Sequence, residues 1–112
     1  MRYAVQLTDP AAADLEAIVD YLAEHESAFA AARVLDRMEK VIATLAQFPE
    51  RGVHPQELAA LGNHEFRQLL QGPWRVIYRV QARKVDVVLI ADGRRDMRTL
   101  LTQRLLHACG AD

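Results

Sequence analysis

Six arginines supply the residues best suited to holding anions: Arg67, Arg75 and Arg79 within a run of strand-forming residues, and Arg94, Arg95 and Arg98 shortly after it. A guanidinium presents five donors in a planar fork, matches a carboxylate or phosphate through two bonds at once, and keeps its charge at any working pH. The chemistry on offer is recognition of acidic groups, on a protein or on a nucleic-acid backbone. Cutting a phosphodiester demands more, namely a group that moves protons. The four histidines, His25, His54, His64 and His107, have no paired ligand spacing and no adjoining acidic pattern. No metal site, no cofactor and no catalytic residue is assigned from these types alone.

Charge is distributed unevenly around those arginines. Residues 1–63 carry five Lys and Arg against ten Asp and Glu, whereas residues 64–112 carry nine against five, within a net charge of −1. A basic second half suits an acidic partner or a phosphate backbone. An ordinary solvated strand face would present the same residues.

The elements that must position the arginines follow from periodicity. From Trp74, alternation places Trp74, Val76, Tyr78 and Val80 on one face and Arg75, Ile77, Arg79 and Gln81 on the other. The first face reads as core and the second as an open, usable face. Strands are expected at about 64–70, 74–81 and 85–92, with turns at Gly72-Pro73 and Ala82-Arg83. Val85 to Ala91 is apolar on both faces over part of its length, which marks a central strand.

Upstream, residues 2–7 alternate as a first strand. Thr8-Asp9-Pro10 then starts a helix, Thr8 or Asp9 capping its free amides while Pro10 occupies the first turn. Ala11, Leu15, Ile18, Val19 and Leu22 form its apolar stripe, with Asp14, Glu16, Asp20 and Glu24 opposite. Ser27 caps a second helix, whose stripe runs from Ala31 to Phe48, and Pro49 ends it. So short a link makes the two helices an antiparallel hairpin that needs a sheet to lie on. Residues 49–63 read as a loop with a helical turn at Gln56 to Leu61, and Met97, Leu100, Leu101 and Leu105 mark a final helix with Arg98 and Arg104 off its stripe.

The expected fold is therefore α+β in one domain spanning 1–112: strand 1–8, helix hairpin 9–48, loop 49–63, three strands in 64–92, and a short C-terminal helix at 96–107. The hairpin packs on a mainly antiparallel four-stranded sheet. The composition, 51% hydrophobic and 26% charged, suits such a domain. Apolar runs fall far short of a membrane span, the N-terminus does not read as a signal peptide, and a cytoplasmic protein is expected. The single Cys109 is expected to be a semi-exposed thiol with no structural duty.

This order of elements resembles the RelE/ParE superfamily of toxins from bacterial type II toxin–antitoxin modules. The residues that carry the resemblance are Gly72-Pro73-Trp74-Arg75-Val76-Ile77-Tyr78-Arg79-Val80 and Asp92-Gly93-Arg94-Arg95-Asp96. The resemblance implies a growth-inhibiting toxin, associated with plasmid stabilization, that a cognate antitoxin neutralises in a toxin–antitoxin hetero-oligomer. The antitoxin would lay an amphipathic segment along the helix hairpin and sheet, add a strand, and cover or displace the C-terminal helix. Its acidic residues would meet Arg75, Arg79 and the Arg94-Arg95 pair.

The superfamily divides into two branches that act differently. RelE-like members are ribosome-dependent mRNA endoribonucleases that activate a ribose 2′-OH against the neighbouring phosphate, using lysines, arginines and a C-terminal tyrosine. Arg75 and Arg95 match the phosphate-holding arginines of that branch, but its lysine positions fall on Phe66 and Gln68 and its tyrosine near Leu101. His64 and His107 are the replacements best placed by position. ParE-like members poison DNA gyrase without an enzymatic step, and this chain resembles them more closely. Arg67, Arg75, Arg79, Arg94, Arg95 and Arg98 are then a binding surface, with gyrase as the expected target. The alternatives are a ribonuclease acting on ribosome and mRNA, or a degenerate member that binds antitoxin without toxicity.

Overall fold

The computed structural model describes residues 2–110, with side chains through residue 105. Strand β1 (Ala4–Leu7) leads into helix α1 (Asp9–His25), which turns through two residues into α2 (Ala28–Ala43). The Thr8 hydroxyl caps α1 by accepting the Ala11 N–H at 3.3 Å, and it donates to the Val87 carbonyl at 3.2 Å, fixing where strand ends and helix begins. Ser27 caps α2 through the Ala30 N–H at 2.9 Å. The second helix does not run to Phe48 as expected. It tightens into a 3₁₀ turn at Thr44–Ala46 that keeps Leu45 buried and leaves Phe48 exposed.

Beyond a short helix α3 (Gln56–Ala59), strands β2 (Phe66–Gln71), β3 (Trp74–Gln81) and β4 (Lys84–Asp92) precede α4 (Met97–Gly110). The sheet order is β1-β4-β3-β2, with β1 parallel to β4 and the other neighbours antiparallel. Strand β4 is central, as its apolar run requires. A bulge explains how that run is used: Ile77 faces Leu89 and Tyr78 faces Val87, so Val88 is an inserted residue. Val85, Val87 and Ile90 enter one core, whereas Val88, Leu89 and Ala91 enter another.

The first core lies under the α1–α2 hairpin and contains Met38, Ile42, Leu45, Val76 and Tyr78. The second lies on the opposite face, where Leu58 of α3 and Met97 and Leu101 of α4 cover Phe66, Ile77 and Leu89. The open face expected on β3 is therefore corrected: Ile77 is fully buried and Arg75 nearly so, because α3 and α4 cover that side of the sheet. Helix α4 is capped by Asp96, which accepts the Thr99 N–H at 3.2 Å and its hydroxyl at 2.7 Å. Expectations for the His107 and Cys109 side chains lie outside the described ones. Among the described residues no helix is long and apolar enough to cross a membrane.

Candidate interaction surface

The three strand arginines are committed to the protein itself. Arg75 points from β3 to α3, where its Nη1 and Nη2 each donate to the Glu57 carboxylate at 2.8 Å, and its Nε donates to the Gln68 side-chain oxygen at 2.8 Å. Only 11% of the Arg75 side chain is exposed, against 29% for Glu57. The hydrogen bonds from Arg75 hold the Glu57 carboxyl down at about 2, outweighing the burial that would raise it, and the nearby Arg98 charge adds to the effect. The fork-to-carboxylate geometry expected for a partner is satisfied internally.

Arg67 serves the loop before β2, donating to the Glu50 carbonyl at 3.2 Å and the Gly52 carbonyl at 2.8 Å. The same loop is held by the Tyr78 hydroxyl, which accepts the Gly52 N–H at 2.9 Å. Burial raises the Tyr78 pKa and keeps the phenol neutral. Arg79 lies over the Phe66 ring at 5.6 Å, with Glu65 at the outer limit of ion pairing, 4.0 Å. Its Nε is buried and makes no hydrogen bond to the described residues, so the ring face is its main compensation.

The three arginines after the sheet are on the surface. Arg94 is 86% exposed and closes on Asp92 at 2.7 Å, and its hydrogen bonds hold the Asp92 carboxyl at about 2. Arg95 and Arg98 are exposed. The structure thus splits the sequence-derived surface. Arg94, Arg95 and Arg98 are each exposed between the end of β4 and the first turn of α4, while Arg67, Arg75 and Arg79 are turned into the fold.

Of the positions weighed for ribonuclease chemistry, Phe66 and Leu101 lie in the second core. Phe66 is 3% exposed and Leu101 fully buried, and Gln68 is occupied by Arg75. His64 is exposed and meets His54 edge-on at 5.2 Å. The His54 Nδ1 lies 3.0 Å from the Phe66 carbonyl, an acceptor only, so that nitrogen carries the proton. Among the described residues, no group of three His, Cys, Asp or Glu is arranged to hold a metal.

Sequence reasoning missed two partnerships. Glu57 carries no pattern that announces Arg75. Asp14 does carry a signal, because it sits three residues after Ala11 and beside Leu15, on the edge of the apolar stripe rather than opposite it. It accepts the Ile90 N–H at 3.0 Å and pairs with Arg104 of α4 at 2.7 and 3.0 Å, while Arg104 also donates to the Val88 carbonyl at 2.8 Å. Arg104, expected off the α4 stripe, turns inward there because β1 has ended and left backbone groups of β4 unpaired.

Residues 5–97 match the family described as the ParE toxin of the type II toxin–antitoxin system parDE. The chain is 28% identical over 97 residues to Toxin ParE3 of Caulobacter vibrioides, covering 87% of this chain and 93% of that protein. Its fold is similar to a chain in the chromosomal ParDE toxin–antitoxin system of P. aeruginosa, with a TM-score of 0.69 at 22% identity over 81% of this chain and 96% of that one. A chain in the RelBE2 toxin–antitoxin complex of Mycobacterium tuberculosis is also similar, with a TM-score of 0.60 at 18% identity, covering 82% and 99% respectively.

Proposed function

The chain belongs to the ParE toxin family of type II toxin–antitoxin systems, and we propose that it arrests growth by binding DNA gyrase, without a nucleolytic step, until a cognate antitoxin neutralises it. The observation that carries this reading is the occupancy of the second core. Where the ribonuclease branch of the superfamily needs cations and a proton-transfer group, this chain buries Phe66 and Leu101. Phosphate charge cannot be held, nor a proton moved, by two hydrocarbon side chains packed under α4. Arg75, matched to a phosphate-holding position, already spends its fork on Glu57 and Gln68.

A binding toxin needs only an accessible, complementary surface, and the exposed Arg94, Arg95 and Arg98 supply charge for one. The antitoxin reading draws on the similarity in fold to chains of toxin–antitoxin systems. Induction in a host lacking the antitoxin tests both parts. Growth should stop while transcripts stay intact, and co-expression of the protein from the adjacent reading frame should restore growth. Codon-dependent cuts in translated mRNA would overturn the binding mechanism.

A further inference from the structure

Strand β1 ends the sheet on one side, and its outer edge is open at Val5 and Leu7. The Ala4 and Thr8 amides donate to the Arg83 and Val87 carbonyls, both at 3.0 Å, so the even-numbered residues spend their backbone groups on β4. Tyr3, Val5 and Leu7 therefore turn N–H and C=O outward. Tyr3 is taken up by the 3₁₀ turn, its N–H donating to the Ala46 carbonyl at 2.7 Å, whereas Val5 and Leu7 have no such partner among the described residues. The outer edge of β2, on the other side of the sheet, is closed by a bridge in which Val53 and Gln68 exchange bonds at 3.2 and 2.7 Å.

A groove of about 500 Å³ lies along this open edge, lined by Val5 and Leu7 themselves, Leu15 of α1 and Ile42 of α2. Charge is placed at both ends of the strand. Arg2 is exposed just before it and Asp9 just after it, and neither joins an ion pair among the described residues. Gln6, exposed between them, donates from Nε2 to the Asp86 carboxylate at 2.8 Å, which leaves its own amide oxygen and its second N–H for another partner.

We propose that a second copy of this chain occupies the edge, its β1 running antiparallel to the first about a two-fold axis through Gln6. With Gln6 opposite Gln6, Val5 of each copy stands opposite Leu7 of the other, and the two outward-facing residues exchange both of their backbone bonds. The open edge and its occupant then match in length, because each supplies the same two residues. The register also sets Tyr3 opposite Asp9, which brings Arg2 of one copy beside Asp9 of the other at both ends of the contact. Unlike charges at the two ends of one strand are complementary to themselves only in this sense, since parallel pairing would put Arg2 beside Arg2. The two Gln6 side chains meet at the axis and bond through the groups that Asp86 leaves free. So few backbone bonds and so small a groove make a weak dimer that forms as concentration rises.

The test uses the full chain alone, in sedimentation equilibrium from about 1 to about 300 µM, over which the parent should pass from monomer to dimer. Gln6→Lys keeps a donor for Asp86 but sets two ammonium groups opposite each other at the axis, and should weaken the dimer by about tenfold or more. Its thermal midpoint at low concentration should stay near that of the parent, which separates a lost contact from a lost fold. Arg2→Asp and Asp9→Arg should each weaken the dimer by about threefold or more, and the double variant, with the charges exchanged, should return to within about twofold of the parent. A parent that stays monomeric throughout overturns the proposal, and so does a dimer that Gln6→Lys leaves intact or that the charge exchange fails to restore. Hydrogen exchange supplies a readout free of substitutions: the Val5 and Leu7 amides should slow by about fivefold or more as the chain is concentrated. Amides that slow only on adding the protein encoded in the adjacent reading frame would give the edge to that protein and overturn the second copy.

Discussion

Glu57→Gln should destabilise the fold, and by an amount that depends on pH. The substitution keeps the size of the side chain and an acceptor oxygen but removes the charge facing a nearly buried Arg75, leaving Gln68 as its other partner. Lowering the carboxyl from 4.5 to about 2 corresponds, at 1.36 kcal/mol per unit, to a ceiling of about 3 kcal/mol. Glu57 is 29% exposed, so solvent screens part of the interaction and the expected loss is about 2 kcal/mol. Because folding depresses this pKa, the stabilisation is complete above about pH 5 and disappears as pH falls through about 2. Urea unfolding of parent and variant should differ by about 2 kcal/mol at pH 6 and by less than half of that at about pH 3. A difference that is the same at both values, or below about 0.5 kcal/mol at pH 6, would refute a stabilising pair. The pair also changes what Arg75→Ala means. A nearly neutral substitution is the expectation for an exposed strand arginine, but in this fold lost toxicity would come with lost stability.

Gly52→Ala should lower stability by about 2–4 kcal/mol, since an added Cβ would meet the Gln68 carbonyl oxygen and the Tyr78 hydroxyl at 2.6 Å each; thermal melting checks this. Tyr78→Phe removes the acceptor of the Gly52 N–H and should cost about 1–2 kcal/mol in chemical unfolding, with the loop at 49–54 exchanging faster than the sheet. Arg104→Met breaks the link from α4 to Asp14 and the β4 edge, so amides at 98–105 should exchange faster while those of β3 remain protected. Ala82→Gly relieves a left-handed residue at φ 56° in the β3–β4 turn and should raise the unfolding midpoint by up to about 1 kcal/mol equivalent.

What could be read directly from the chain was whatever local pattern decides. Thr8-Asp9-Pro10 and Ser27 announce helix starts because capping is a matter of a few adjacent residues, and Gly72-Pro73 and Ala82-Arg83 announce hairpins for the same reason. The central place of β4 followed from an apolar run that only a doubly covered strand can bury. The state of Arg75 could not be read this way. Alternation put it opposite Val76 correctly, but whether that face meets water or α3 and α4 is decided by elements outside the strand. Glu57 lies on a four-residue helix in a stretch without period, so its meeting with Arg75 is a tertiary fact. Arg94, Arg95 and Arg98, following the last strand, are exposed.

A toxin that acts by occupying its target, as proposed for this chain, inhibits in proportion to the target bound. The most direct test is a titration of purified chain into a DNA gyrase supercoiling reaction, with programmed ribosomes treated in parallel. Supercoiling should be lost at amounts comparable to the gyrase present and return when the antitoxin is added, while mRNA on the ribosomes stays intact. Unimpaired supercoiling together with cut mRNA would contradict the binding mechanism.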